Sequence, residues 1–243
     1  VQQHQARGSG ETGRTRQRAN QREAITLDCD FHHGPHSLRT PLSCRTVIDD
    51  AAQPGPLACK EWGAIVRALL EGEQIIDLRK GGIREPGRQF DLASDRFFLY
   101  PTVEHHDAAM LKPAYQDWID PESARRDGHI VIGGWAEVVA HTTIDDDAAL
   151  SALDSKHIWT DAYAQSRLNW KARQPLWVLV LRVHRLLEPL LIADRPGYHG
   201  CTSWMTLADL PADPYALPSE PALSDTAFAG KLSGLPDWLQ PTR

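Results

Sequence analysis

Two segments of the chain bring together residue types suited to holding an anion. The first is Arg79-Lys80-Gly81-Gly82-Ile83-Arg84-Glu85, in which two glycines stand between cations. Glycine lets backbone N–H groups approach an anion closely, and flanking cations neutralise it. That chemistry suits phosphate or a nucleic-acid backbone; the competing reading is a solvated charged loop. The GxxxxGK[ST] pattern of a P-loop is absent. The second segment is residues 162–187, which hold Arg167, Lys171, Arg173, Arg182 and Arg185 and no acid. Tyr163, Trp170 and Trp177 interleave with these cations, and Trp159 precedes them. Cations among aromatics suit phosphate contact and base stacking. The helical or strand spacing of the aromatics assigns most of them to the core.

A third group, Tyr100-Pro101-Thr102-Val103-Glu104-His105-His106, crowds polar side chains at the end of a short apolar run. Glu104 and His105 are the residue types of an acid/base pair or, with His106 or Asp107, of a metal site. No H-E-x-x-H pattern accompanies them. Cys29, His32, His33, His36 and Cys44 are zinc-ligand types, but their spacing matches no standard finger and fits a polar tract. Asp77-Leu78-Arg79-Lys80 puts one residue too many between acid and lysine for a PD-(D/E)xK nuclease. Cys201 lies near His199 without a nucleophile motif and is read as a small packed residue. Nothing in these patterns calls for a cofactor or a resident metal.

The 243 residues carry a formal net charge of −6, with 42% hydrophobic and 24% charged residues. These proportions exclude a collagen-like chain, a wholly disordered chain and a membrane protein. They also exclude a global basic field, though not a local one. Four cysteines without tight pairs fit a reducing cytoplasm. The averages conceal a division. All eight Trp, all five Tyr and four of the five Phe follow residue 57. A stretch whose one aromatic is Phe31 buries too little apolar area to offset its ordering entropy. Residues 1–57, which begin on Val, are therefore expected to be a disordered arm or a translated upstream segment. They carry no secretory signal pattern.

Several elements must position the candidate residues. Trp62–Leu70 and Gln74–Leu78 around Glu71-Gly72-Glu73 form a hairpin pattern, with the Ala and Leu content of the first run allowing a helix. Phe97–Tyr100 reads as a strand stopped by Pro101, and 129–144 as a strand bent at Gly133-Gly134. Short helices are expected within 103–111 and 115–119. Asp145-Asp146-Asp147 resembles a helix start, followed by helices over 148–158 and 160–170. Residues 175–192 are too short and too charged to span a membrane and read as a strand buried on both faces. Ser203–Leu207 is a last core strand. A helix over 224–233 and Trp238 as an anchor follow in the Pro-rich region. The expected domains are an arm (1–57), a globular domain (58–210) and a Pro-rich tail (211–243). The expected fold is α+β: about six strands in an antiparallel, partly closed β-barrel with inserted helices.

Lys60-Glu61-Trp62, RKGGIRE at 79–85, Leu99-Tyr100-Pro101-Thr102-x-Glu104-His105 and Leu111-Lys112-Pro113 form an ordered series. With Trp170-Lys171 and the Leu-rich run through Arg182, it resembles the bacterial family called domain of unknown function 1802, over about residues 57–210. His106 departs from the Gln of that pattern, which puts a polar contact there in doubt. The strand at Trp135–Ala140 and the basic later segment also resemble PUA/ASCH-type barrels, which bind RNA or modified bases. The family has no established activity; the resemblance implies a link to restriction–modification systems and a nuclease partner. The leading expectation is thus a nucleic-acid-binding module for DNA or RNA. Arg79, Lys80, Gly81, Gly82 and Arg84 would hold phosphate, and Arg167, Lys171 and Arg182 would extend that face. Trp62 or Tyr100 would stack a base. A metal-dependent nuclease or other hydrolase centred on Glu104 and His105 is the second expectation, and a protein-interaction module the third.

Overall fold

The computed structural model describes residues 55–81, 90–103, 107–171, 174–208, 210–211 and 213–241. All belong to one compact unit, Asp50–Arg243. Residues 1–54 of the expected arm, with the Cys29–Cys44 cluster, and Gly82, Arg84, Glu104, His105, His106 and Arg173 lie outside the described residues, while Leu57 at the arm's end already opens the first strand.

The strands are β1 (Leu57–Trp62), β2 (Ile76–Arg79), β3 (Arg96–Thr102), β4 (Arg125–Arg126), β5 (His129–Ile144), β6 (Leu176–Ala193), β7 (Trp204–Thr206) and β8 (Ser219–Pro221). The α-helices are α1 (Gly63–Leu70), α2 (Asp147–Ser151), α3 (Asp161–Asn169) and α4 (Asp225–Ser233). One sheet runs in the order β2-β6-β5-β3-β1-β7, with β4 on β5 and β8 on β6. Its spine is the antiparallel pair β5–β6, in register from His129↔Ala193 to Ile144↔Leu176 with two irregularities.

Strand periodicity gives the sheet two cores. Successive residues of β3 point to opposite faces, so Phe97 packs with Ile65, Leu69, Ile76 and Leu179. Phe98 packs with Ala58, Ile132, Trp135 and Met205 on the other side. Burying each phenylalanine contributes about 1.5–3 kcal/mol. The β6 run is buried on both faces only in its first half; Leu187 and Leu191 farther along are exposed.

The α+β class holds, but the expected sheet differs in two respects. β1 and β3 are parallel, with Lys60 opposite Tyr100. The sheet is mixed, and no pairing of its outer strands β2 and β7 closes it into a barrel. The expected hairpin is also replaced. Residues 63–70 form helix α1, preceded by strand β1. Five of its eight residues are buried, while Arg67 faces outward and bonds Glu71 one turn on at 2.7 Å. That is helical spacing, not alternation. β3 runs through Pro101 to Thr102. The expected helix over 148–158 is α2 and a separate 3-10 turn, Asp154–Lys156. α2 starts where Asp146 accepts the Ala149 N–H. In the Pro-rich region Leu235 and Leu239 enter the core, whereas Trp238 is half exposed.

Gly134 stands at one β5–β6 irregularity, against the turn end of α1. A Cβ there would lie 2.3 Å from the His184 carbonyl oxygen and 2.6 Å from Leu70 Cδ2. The carbonyl belongs to the spine and cannot swing aside. Gly134→Ala is expected to destabilise the domain by about 1–3 kcal/mol. Gly197→Ala, whose Cβ meets nothing within 4 Å, should be neutral by comparison. Equal urea midpoints for the two variants would refute this account of the spine.

Candidate functional site

The ends of β1 and β2, the C-terminal turn of α3 and residues 200–203 surround a cleft of about 260 Å³. Lys60, Trp62, Arg79, Lys80, Arg167 and Trp170 line it, with Glu61 as the one acid among its lining residues. Local patterning explains the placement. LACKEW and IIDLR are apolar strands interrupted by charges near their C-terminal ends. Their apolar positions anchor in the core and carry the charged ends to one rim.

The floor is a buried charge cluster. Arg79 donates from Nη1 to Glu61 Oε2 and lies 3.8 Å from Asp77 Oδ2. All three side chains are buried. Glu61 Oε1 also accepts the Trp62 N–H at 2.7 Å, and Thr102 Oγ1 donates to the Glu61 carbonyl at 3.2 Å. Burial, reinforced by the negative charge of Glu61, pushes the Asp77 carboxyl up to about 7, against the opposing pull of Arg79 and Arg167.

The cations of the wall are anchored on backbone carbonyls. Lys80 Nζ donates to Leu168 O near the end of α3. Arg167 Nη2 donates to Leu78 O at 3.2 Å, Lys171 Nζ to Gly81 O at 2.9 Å, and Lys60 Nζ to Gly200 O at 3.2 Å. The Lys80 ammonium is pulled below its ordinary pKa by burial and then by the charges of Arg167 and Lys171. Lys171 has a left-handed backbone (φ 51°), and its ammonium sits 4.3 Å from the centre of the Trp170 ring. Trp170 is 41% exposed. Trp62 is half-buried and set edge-on to Trp159 at 4.8 Å.

Trp62, Arg79, Lys80 and Arg167 are thus brought together, with Gly81 and Lys171 beside them. Tyr100 is not in the cleft; it is 5% exposed, lines a neighbouring depression and meets Tyr198 edge-on. Arg182 does not extend the face. It donates to Asp225 Oδ1 at 2.6 Å and covers the Phe228 ring. Arg185 bonds Glu220 at 2.8 Å. Among the described residues no group of three or more His, Cys, Asp or Glu side chains gathers as a metal site would. No helix of the described residues is long and apolar enough to cross a membrane. Asp77 and Thr102 were not singled out for binding in the sequence. The available signal for Asp77 was its alternation with Arg79 inside an apolar strand.

Fold and site together define a mixed α+β module with a basic, aromatic cleft beside the end of its parallel strand pair. The chain belongs to the family described as domain of unknown function (DUF1802), whose model matches residues 58–233. No curated protein matches it. Among solved structures it is similar to ASCH from Zymomonas mobilis at 14% identity, over 75% of this chain and 96% of that one, with a TM-score of 0.39. A serine-to-alanine mutant of that protein aligns at 14% identity over 63% and 89% of the two chains, also at 0.39.

The floor makes a prediction about pH. Asp77 titrates near 7 when folded and near 3.8 when unfolded, so its contribution is full below pH 4 and lost as pH rises through 7. Buried His157, lowered from 6.5 to about 4 by desolvation and by Lys112, acts oppositely: its contribution is lost as pH falls through 4. Between pH 7 and 4 the two oppose each other. Asp77→Asn removes the first alone. Its stability relative to the parent should fall as pH drops from 7 to 4, by on the order of 3 kcal/mol. Urea unfolding at several pH values reads this difference, and parallel curves would contradict it.

Proposed function

We propose that this chain is a nucleic-acid-binding module whose cleft holds one nucleotide of a single strand. The observation that carries this reading is the convergence of Lys80, Arg167 and Lys171 beside an exposed tryptophan. Like charges repel, and assembling them costs free energy that an anion in their midst returns. The carbonyls of Leu168, Leu78 and Gly81 accept from Lys80, Arg167 and Lys171 and fix these cations in place. The Trp170 face offers a stacking platform that tolerates any base. At about 260 Å³ the cleft has a volume suited to a nucleotide and too small for a duplex.

DNA and RNA both present this chemistry. In the restriction–modification setting that the family resemblance implies, such a module supplies recognition and a separate nuclease partner supplies cleavage. Modified bases belong to the same proposal, read in the cleft beyond the phosphate.

Fluorescence anisotropy with labelled single-stranded RNA and DNA 12-mers tests it. Binding should weaken steeply between 50 and 200 mM salt. Arg167→Ala should weaken it about tenfold and lower the salt slope by about one. Trp170→Ala should cost about 1–3 kcal/mol. Arg182→Ala, engaged with Asp225, should have little effect. The proposal falls if no oligonucleotide binds at 50 mM salt, or if the Arg167 and Trp170 variants bind like the parent.

A further inference from the structure

A second, smaller depression adjoins the cleft. Its volume is about 40 Å³, and Lys60, Thr102 and Gly200 belong to both. Beyond this shared rim lie Arg125, Asp194 and His199. Asp194 is already engaged: His199 Nε2 is 2.9 Å from its Oδ1 and Arg125 Nη2 is 3.7 Å from its Oδ2. Among the described residues that line it, the depression therefore sets Lys60, Arg125 and the His199 ring against one carboxylate.

Size and charge decide what fits. At about 40 Å³ against about 260 Å³, the depression is far smaller than the cleft, a size that suits a phosphate group and not a second nucleotide. Its charged side chains stand at one side, and buried Tyr100 and Tyr198 close its floor. The shared residue Lys60 carries its charge on the rim between the two spaces.

Resting on the nucleotide reading of the cleft, we infer that the small depression holds the phosphodiester joining that nucleotide to the next. The strand then leaves the cleft over Lys60 toward Arg125 and His199, and the smallest full ligand is a dinucleotide. This gives the strand a path along one rim, past the end of the parallel pair β1–β3. Arg125, on the two-residue strand β4, becomes a phosphate contact that no basic run in the sequence marks.

The test compares a dinucleotide bearing its natural linkage with one bearing a neutral methylphosphonate at that linkage. Both carry the same 5′-phosphate, and titrations run at 150 mM salt, where distant charges are screened. The parent protein should bind the natural form about tenfold more tightly, as a charge-assisted contact implies. In Arg125→Ala/His199→Ala the preference should shrink to about twofold. Both residues are exposed, so the domain should remain folded, as circular dichroism would verify. Arg126→Ala, an equal charge loss next door outside the depression, should keep the tenfold preference. An unchanged preference in the double variant overturns the inference and leaves the cleft reading standing. Loss of the preference in Arg126→Ala also overturns it, because the effect would then be general electrostatics. If neither the dinucleotides nor the longer strands bind, both readings fall.

Discussion

The cleft depends on one buried ion pair. β2 and β1 are separated by three strands in the sheet and share no backbone hydrogen bonds. Arg79 and Glu61 nevertheless join them through a charge pair buried from solvent. Such a pair is costly to desolvate, and removing one partner alone typically costs about 3–5 kcal/mol because the other charge is left buried. Glu61 also accepts the N–H of Trp62, the last residue of β1, and takes Thr102 of β3 on its carbonyl. One carboxylate residue thereby ties the outer strand β2, the parallel pair β1–β3 and the entry to α1 to a single point. What backbone pairing does in a closed barrel, this side-chain contact does in part here.

The third member of the floor explains how so much charge is tolerated. Two carboxylates and one guanidinium carry a net negative charge if all are ionised. As pH falls below about 7, Asp77 takes up a proton and leaves Arg79 and Glu61 as a balanced pair. Above that balanced floor stand the wall cations, Lys80 and Arg167, which are tied to carbonyls. The layering separates two tasks. Charges that hold the fold are cancelled within it, and charges facing the cleft remain to meet a ligand.

The long elements were legible because their signals are local. β5 and β6 were readable from sixteen- and eighteen-residue runs, and α3 and α4 from their polar caps. The N-cap hydroxyls of Thr160 and Ser224 accept the N–H groups three residues on. α1 was obscured because its apolar residues also fit a buried strand, and only the outward Arg67 separates the two periods. The parallel β1–β3 pair and the unclosed sheet had no local signal, since both are set by contacts between distant segments. For the site, the two basic segments were legible but their register was not. Arg79 stands opposite Trp177, and Arg182 lies five residues farther along β6. At about 3.3 Å per residue that is roughly 16 Å away, out of reach of the cleft.

A net charge of −6 gives no sign of this arrangement, because what matters is which cations the fold cancels. Arg67, Arg96, Arg182 and Arg185 each meet a carboxylate on the surface. Such exposed pairs contribute little to stability, but they remove positive potential from the faces they occupy. Around the cleft, Lys80, Arg167, Lys171 and Lys60 donate to carbonyls at the end of α3, at the exit of β2 and at Gly200. A carbonyl dipole directs an ammonium or guanidinium and leaves most of its field intact. Among the described residues, the cleft thus gathers cations held on carbonyls in a chain of net negative charge. On the nucleic-acid reading, such a cluster of cations on a molecule of net negative charge would orient a polyanion as well as attract it.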